Sequence, residues 1–347
     1  MTNQPKRHHQ VPQFYLERFA TNAKLAVRWR NGKRYETSPK NVAVESGFYD
    51  IPDGMGGVSK EIETGLANIE GMADRVLRRI DREGRLPGPR DPDSATLALF
   101  VGLQIARTTT HRERVLFPRR VVAWANGREV TADLVADFLE SQYLGFRPEP
   151  PEVDAAFTLV SVAIGDESHT LSDEFAVEMM LRAAWELSRR VIALNWSIEG
   201  DGRRELIISD SPVVVWRKPS PRDNFEGFGI ENADEVRFPL DPGKQLVLSR
   251  RTRKEFLDVA VHRVRRSNAD MAGACHRFII GSPENRAQVD AQRLDPWRPL
   301  LRFNVGPGFE QAPDGTRRRM AGDIVHMWTP RRAGCGPEAR VARHGTR

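Results

Sequence analysis

The segment His8-His9-Gln10-Val11-Pro12-Gln13-Phe14-Tyr15-Leu16-Glu17-Arg18-Phe19 stands near the start of the chain and joins polar to apolar residues. Pro12 predicts the start of a short helix, because proline fits the first helical turn, where its missing N–H is not needed. The apolar side of this helix is formed by Val11, Tyr15, Leu16 and Phe19. Burial of that side would hold the preceding residues in a fixed position.

His8 and His9 are therefore candidate catalytic residues. A positioned histidine is the commonest general acid or base near pH 7. Neighbouring side chains of an extended segment point to opposite sides, so we expect at most one of the two to face a site. The other would cap the helix or meet solvent. The alternative is that both histidines are packing residues.

The net charge of the chain is confined to its C-terminal end. The 347 residues carry a formal charge of +6, from 53 Lys and Arg against 47 Asp and Glu. Residues 317–347 hold eight Arg, one Asp and one Glu, which is the whole excess. A basic binding face should show as Lys and Arg clustered in the folded body. The charge therefore predicts nucleic-acid binding only weakly, through the C-terminal tail.

Composition also predicts the compartment. The longest apolar stretch, 95–106, is shorter than the roughly 20 residues that span a bilayer. No apolar run follows the first charged residues, as it would in a signal peptide. Cys275 and Cys335 lie far apart and fit no disulfide or zinc pattern. We expect a cytoplasmic protein without a membrane partner.

Spacing of apolar residues predicts the secondary structure. Stripes at intervals of three and four predict helices at 62–80, 92–112, 131–144, 152–164 and 172–194. Alternation predicts strands at 25–30 and 33–37, joined by the hairpin turn Asn31-Gly32. In the strand-rich block 195–250 we predict a hairpin between 196–199 and 205–209, and strands at 213–216, 236–240 and 245–249. Thr252 and Glu255 have the spacing of a capping box and predict a helix.

Helices followed by a strand-rich block indicate the α+β class. We predict a mainly helical globule over residues 6–310, with a small antiparallel sheet in the 195–250 region and an N-terminal β-hairpin. Residues 311–347 are rich in Arg, Gly, Pro and Ala and are expected to form a basic, largely disordered tail.

Several of these segments resemble one family. The signature HHxVPxFYLxxF at 8–19 is similar to the N-terminus of the mostly bacterial domain-of-unknown-function family 4238. The further segments that resemble it, in the same order, are 38–43 leading to 48–50, 62–70, Gln104 with Arg107, 209–212 and 238–242. The resemblance covers about residues 6–282. It implies no reaction, because no activity is assigned to this family.

Gln104 and Arg107 are candidate ligand-binding residues. They follow Phe100 at helical spacing, inside the most apolar helix of the chain. A buried amide needs partners or costs about 1–3 kcal/mol, and a buried Arg needs a carboxylate, a phosphate or carbonyl groups. Glu63 and Glu70 could supply the carboxylate. One interpretation is a structural Arg–Glu pair between two helices, and the other is a clamp for an anionic ligand.

Asp210 is a candidate catalytic residue because it directly follows the apolar strand 206–209. Carboxylates at the ends of buried strands are common in catalytic and ligand sites. The alternative is turn chemistry, since the side chain of an Asp-Ser-Pro segment often binds the backbone two residues later.

Two functions fit these residues. The first is a ligand-binding or sensor protein with a buried polar cluster of His, Glu, Gln, Arg and Asp, for a small molecule or an anion. The second is a hydrolase that cleaves a phosphodiester or nucleotide, with an N-terminal histidine as acid or base and a carboxylate that orients it or holds a metal. Arg107 would stabilise the anion. The lack of a complete catalytic motif favours the first, and the sequence specifies no cofactor, metal or oligomeric state.

Overall fold

The structure, a computed structural model, describes residues 7–46, 61–165, 172–218, 229–252, 254–295, 301–311 and 317–328. The helices are α1 (Gln13–Glu17), α2 (Glu61–Glu83), α3 (Pro92–Ala106), α4 (Thr109–Ala125), α5 (Ala132–Phe138), α6 (Pro150–Gly165), α7 (Asp173–Ile192), α8 (Val261–Ala274) and α9 (Arg286–Ala291). The strands are β1 (Arg7–His9), β2 (Leu25–Trp29), β3 (Arg34–Thr37), β4 (Val44–Ser46), β5 (Asn195–Gly200), β6 (Ile208–Ser209), β7 (Val214–Trp216), β8 (Glu235–Asp241), β9 (Lys244–Ser249), β10 (Phe256–Asp258), β11 (Phe278–Gly281), β12 (Arg302–Gln311) and β13 (Arg317–Trp328).

The described residues fall into two compact units. The first contains those within Met1–His111, Val177–Lys218 and Phe228–Pro296, and the second contains those within Arg112–Ala176, Pro219–Gly227 and Trp297–Arg347. These units differ from the expected division into 6–310 and 311–347. The reason is that α4, α5, α6 and the β12–β13 hairpin bury an apolar cluster of their own.

The first unit contains two main sheets. One has the strand order β10-β5-β9-β8-β7 and is antiparallel except for the parallel pair β10–β5. The other has the order β3-β2-β11-β6 and is antiparallel throughout. The predicted α+β class, the antiparallel sheet and the N-terminal hairpin are therefore confirmed.

The apolar core of the first unit forms around α1. The Tyr15 ring stacks on Phe238 of β8, with centroids 4.9 Å apart, and meets Phe100 of α3 edge-on at 6.3 Å. Burial raises the pKa of the Tyr15 hydroxyl well above its usual value. That hydroxyl donates a hydrogen bond to the backbone carbonyl of Pro239. The short N-terminal helix is thus fixed against both a central helix and a central strand.

The five-stranded sheet has one apolar and one charged buried face. Strand alternation sends Val236 and Phe238 into the core and places Glu235 and Arg237 on the opposite face. Arg263 of α8 donates to Glu199 at 2.8 and 2.9 Å and to Glu235 at 2.9 Å. This buried network attaches α8 to the sheet, and no local pattern in the sequence indicates it.

The second unit is held together by rings and by one two-pronged ion pair. Phe117 of α4 packs against Phe303 of β12, with centroids 4.6 Å apart. Arg302 donates from both Nε and Nη2 to the Glu152 carboxylate of α6, at 2.6 and 2.7 Å. Glu152 also accepts the N–H of Phe303 at 3.0 Å, so this carboxylate fixes the start of β12 on α6.

The predicted hairpin between 196–199 and 205–209 is wrong. β5 pairs with β9 and β10, whereas β6 pairs with β11 in the other sheet. The carboxylate of Asp201 accepts the N–H groups of Arg203 and Glu205, and Arg204 has a φ of +58°. This turn directs the chain away from β5 instead of back along it.

The predicted helix after Thr252 and Glu255 is also wrong at its start, because 256–258 is strand β10 and α8 begins at Val261. The carbonyl of Glu255 accepts the N–H of Ile198 at 2.7 Å, which draws this segment into the sheet.

Strand β13 lies inside the segment 311–347, which was expected to be a largely disordered tail. Residues 329–347 lie outside the described residues.

Among the described helices, none combines the length and the apolar character required to cross a bilayer.

The charged face of the sheet predicts a specific acid sensitivity. Burial alone raises the pKa of the Glu235 carboxyl, but Arg237 and Arg263 outweigh it and lower that pKa from 4.5 to about 2. Because the pKa is lower in the folded state, the ionised carboxylate stabilises the fold above pH 4.5, and this contribution is lost as the pH falls towards 2.

We expect Glu235→Gln to lower the free energy of unfolding at pH 7, and the difference from wild type to shrink between pH 4.5 and 2. Urea unfolding at a series of pH values measures this. The exposed Glu174→Gln change serves as the control. A difference that stays constant with pH would contradict the assignment.

Candidate functional site

The N-terminal histidines lie on a short strand inside the first unit. β1 pairs antiparallel with β4, which sets His8 opposite Glu45 and His9 opposite Val44. His8 is buried and His9 is half-buried. Both residues have the extended conformation of β1, which turns their side chains to opposite sides of the strand.

Gln10 is the centre of a polar network at the end of this strand. Its Nε2 donates to the Glu45 carboxylate and, at 3.4 Å, to the Thr109 hydroxyl. Its Oε1 accepts a hydrogen bond from Nη2 of Arg277 at 2.6 Å. The Gln10 N–H donates to the carbonyl of Ala43, a buried non-glycine residue with a φ of +55°. Backbone strain of this kind often occurs at functional sites.

Asp210 enters the same network through Arg277. The two carboxylate oxygens of Asp210 accept the backbone N–H groups of His276, at 2.8 Å, and Arg277, at 2.6 Å. Nε of Arg277 lies 3.7 Å from this carboxylate. Asp210 is buried. It therefore fixes the turn that precedes β11 and positions Arg277 towards Gln10.

Arg107 and Gln104 lie at the C-terminal end of α3. Gln104 is 0% exposed and Arg107 is 1% exposed. Nη1 of Arg107 donates to Oε1 of Glu70 on α2 at 2.7 Å, so the expected contact with a carboxylate is present. Nε and Nη2 of Arg107 and both polar atoms of the Gln104 carboxamide have no hydrogen-bond partner within the described part of the chain.

The unused atoms of Arg107 form a complete recognition edge. Nε and Nη2 lie side by side and bind a carboxylate or phosphate with two parallel hydrogen bonds. Arg302 and Arg263 use this edge for Glu152 and Glu199. In Arg107 the protein contact is made by Nη1 instead, which leaves the two-pronged edge directed at no described side chain.

These polar groups share a face with the N-terminal segment. At 100° per residue, Phe100, Gln104 and Arg107 fall within an arc of about 60° on α3. Phe14 contacts Phe100, with ring centroids 5.5 Å apart, and Gln10 reaches Thr109 just beyond the end of α3. The segment 10–14 thus runs along the face of α3 that carries Gln104 and Arg107.

The sequence matches the family described as Protein of unknown function (DUF4238) over residues 7–285. The chain belongs to the DUF4238 family. The match includes Gln10, Glu70, Gln104, Arg107 and Asp210, and it ends before β12 and β13. No curated protein and no solved structure matches the chain.

The remaining sequence-predicted residues of this DUF4238 protein are Glu63, a candidate ligand-binding residue, and the candidate catalytic residues His8, His9 and Asp210. Glu63 is exposed on α2, one heptad before Glu70, and no hydrogen bond to Arg107 is described for it. Among the described residues no group of three or more His, Cys, Asp or Glu side chains could hold a metal ion. The catalytic roles expected for His8, His9 and Asp210 stay predictions.

Sequence reasoning missed Gln10, Glu45, Thr109 and Arg277. Gln10 stands at a variable position of the HHxVPxFYLxxF signature, where its burial gives no local signal. Arg277 directly precedes the apolar run 278–280, which predicts a strand but does not mark Arg277 as a functional residue. Each acquires its role from contacts between segments far apart in the chain.

The position of Asp210 predicts a structural effect. We expect Asp210→Asn to lower the free energy of unfolding by about 2–3 kcal/mol, because the amide offers one acceptor where the carboxylate holds two N–H groups and hydrogen bonds to charged groups are worth about 1.5–3 kcal/mol. Urea unfolding measures the change. The exposed Asp133→Asn variant should change it by less than about 1 kcal/mol. Equal effects would contradict the anchoring role of Asp210.

Proposed function

We propose that this protein binds a small molecule through a carboxylate or phosphate group, which the Nε–Nη2 edge of Arg107 holds. The observation that carries this proposal is a buried guanidinium whose two-pronged edge meets no described protein group. A buried donor without a partner costs about 1–3 kcal/mol. An anion at this edge would remove that cost with two charge-assisted hydrogen bonds.

Gln104 supplies the second recognition element. Its carboxamide offers both a donor and an acceptor, and neither is used by the described residues. Because it shares a helix face with Arg107, one molecule can contact both side chains. A ligand with an anionic group and a neighbouring hydroxyl, amide or carbonyl group would satisfy all four atoms.

The Arg107–Glu70 pair supports binding rather than a purely structural lock. The Arg263 and Arg302 ion pairs use the Nε–Nη2 edge for a carboxylate, whereas Arg107 leaves this edge unused. Glu70 offsets the charge of Arg107 from one side, at 2.7 Å, while its own side chain is partly exposed. The network of Gln10, Glu45 and Arg277 then braces the N-terminal segment beside this face.

The geometry favours binding over hydrolysis. A hydrolase of the expected type needs Asp210 to orient a histidine or hold a metal. Both oxygens of Asp210 are used by backbone N–H groups, which supports a positioning role. The hydrolase stays a prediction from the sequence.

The proposal is tested by two matched Arg→Lys variants. Arg107→Lys keeps a positive charge beside Glu70 but removes the two-pronged edge. We expect inorganic phosphate or acetate to raise the Tm of the wild type against a chloride control of equal ionic strength, because a ligand of the folded state stabilises it. Arg107→Lys should abolish this rise with little change in the Tm of the unliganded protein.

Arg263→Lys is the control, since it disrupts an edge that already holds Glu199. This variant should have a lower Tm and keep the rise caused by the anion. The arm that responds, phosphate or acetate, identifies the anionic group. Wild type without a rise, or Arg107→Lys with an unchanged rise, would contradict the proposal.

Gln104 gives an independent prediction. Gln104→Leu removes two buried polar atoms without partners and fills the space with apolar atoms, so we expect the unliganded protein to gain about 1–2 kcal/mol of stability. The anion-induced rise in Tm should weaken. Gln245→Leu is the control and should destabilise, because Nε2 of Gln245 donates to Glu199 at 2.6 Å and to Ser267 at 3.1 Å. Destabilisation of both variants to the same extent would show that Gln104 has a structural role.

A further inference from the structure

A cavity of about 290 Å³ lies within the first unit, between α2, α3 and α7. It is lined by two residues of α2, by four residues between 95 and 99 of α3 and by four residues between 185 and 192 of α7. The four positions on α7 have the spacing of one helix face. Neither Gln104 nor Arg107 belongs to the lining, so this helical cavity is separate from the proposed anion site.

The wall of the helical cavity is apolar in its chemistry. Its two hydroxyl groups belong to Thr96 and Ser188, and each donates to a carbonyl of its own helix, at 3.3 Å to Pro92 and at 2.7 Å to Trp185. The other uncharged lining side chains are aliphatic, aromatic or thioether groups. A sugar or nucleoside would lose its hydrogen bonds to water here without replacement. The wall therefore favours an apolar group.

Large apolar side chains of the lining are also exposed to solvent. Trp185 is 60% exposed, Ile192 is 41% exposed and Met72 is 37% exposed. Apolar side chains grouped in this way mark an interaction site, and ligand cavities are lined mainly by apolar and aromatic residues with few polar groups. An apolar molecule in the cavity would cover these three side chains.

The lining has one charged residue, Arg189, and no carboxylate. Arg189 is exposed, and no ion pair to a described residue occupies it. The next residue, Arg190, differs because it meets Glu231 at 3.2 Å. An arginine of this kind lays its apolar stem on the wall and keeps its guanidinium in water. This charge selects a molecule with an anionic group over a neutral apolar molecule or a basic peptide.

Close contact between two helices fixes one end of the cavity. A Cβ atom on Gly102 of α3 would lie 2.5 Å from the carbonyl oxygen of Ala184, so α3 and α7 touch through their backbones about one turn from Leu99. A volume of about 290 Å³ holds roughly ten groups of the size of water or methylene, at about 30 Å³ each. The size suits a single small amphiphile.

We propose that the helical cavity binds a free medium-chain fatty acid. The alkyl chain lies against the apolar wall, and the carboxylate lies beside the guanidinium of Arg189 at the solvent side. This ligand accounts for the apolar wall, for the exposed Trp185 and for the single cation together.

The experiment is calorimetric titration of the full chain with decanoate below its micelle concentration. We expect Arg189→Gln to weaken decanoate binding about three- to fivefold at low salt, which is the size of an exposed ion pair, and the difference to shrink at high salt. Arg182→Gln, which changes an exposed arginine of α7 outside the lining, should bind like wild type. Decanol should bind wild type and Arg189→Gln equally.

The apolar contribution has its own tests. Octanoate should bind about tenfold more weakly than decanoate, because it buries two fewer methylene groups. Ala95 is an exposed residue of the lining, so Ala95→Phe fills the cavity without entering the core. This variant should lose decanoate binding with little change in Tm.

Two crossed measurements separate this site from the one at Arg107. Decanoate binding should persist in Arg107→Lys, and the rise in Tm caused by phosphate should persist in Ala95→Phe. Loss of decanoate binding in Arg107→Lys would overturn the helical cavity as the fatty-acid site, as would no binding by wild type, undiminished binding by Ala95→Phe or equal effects of Arg189→Gln and Arg182→Gln. A dimer that Ala95→Phe dissociates, seen by light scattering without any decanoate binding, would overturn it in favour of a second copy of the chain.

Discussion

Burial of the Tyr15 ring between β8 and α3 is the contact on which the first unit depends. A five-residue helix such as α1 has no stability of its own in water, so its position comes from packing. Tyr15 supplies that packing through its stack on Phe238 and its edge contact with Phe100. The preceding residues, His8 to Gln10, are consequently held beside the end of α3 rather than free in solvent. The position of the candidate site follows from this contact.

Arginines connect several elements of this protein, and Arg263, Arg302 and Arg107 differ in the edge of the guanidinium that contacts a carboxylate. Arg302 attaches β12 to α6, and Arg263 attaches α8 to the five-stranded sheet. Both use Nε and Nη2 for a carboxylate. Arg107 is more deeply buried, with 1% of its side chain exposed against 17% for Arg263 and 12% for Arg302, but it contacts Glu70 through Nη1 and leaves its Nε–Nη2 edge unused. The proposal that Arg107 binds an anion depends on this difference in geometry and not on the presence of an arginine alone.

Much of the fold could be predicted from local sequence. The apolar stripe that predicts a helix at 62–80 is a local feature, and the structure confirms it as part of α2. The strands around 236–240 and 245–249 are confirmed for the same reason. β10 could not be predicted, because the segment 256–258 becomes a strand only by pairing with β5.

The candidate site could also be predicted from the sequence only where its residues share one element or follow a local pattern. Helical spacing led to Arg107 with Glu63 or Glu70 as its partner, and in the structure Arg107 meets Glu70 at 2.7 Å. Gln10, Glu45 and Arg277 carry no spacing signal, since their contacts join residues 35 and 267 positions apart. A sequence pattern reports which residues share an element, whereas a polar network across several elements depends on tertiary packing.

The most direct measurement of the central claim is a crystal structure of the protein purified without added phosphate or carboxylate buffers, refined around Arg107. A bound anion with two oxygens about 2.7–2.9 Å from Nε and Nη2, and a further contact to the Gln104 carboxamide, is the result expected for a ligand-binding edge. A protein carboxylate or backbone carbonyl on that edge, with Gln104 also paired to protein, would contradict it and make Arg107 a structural residue.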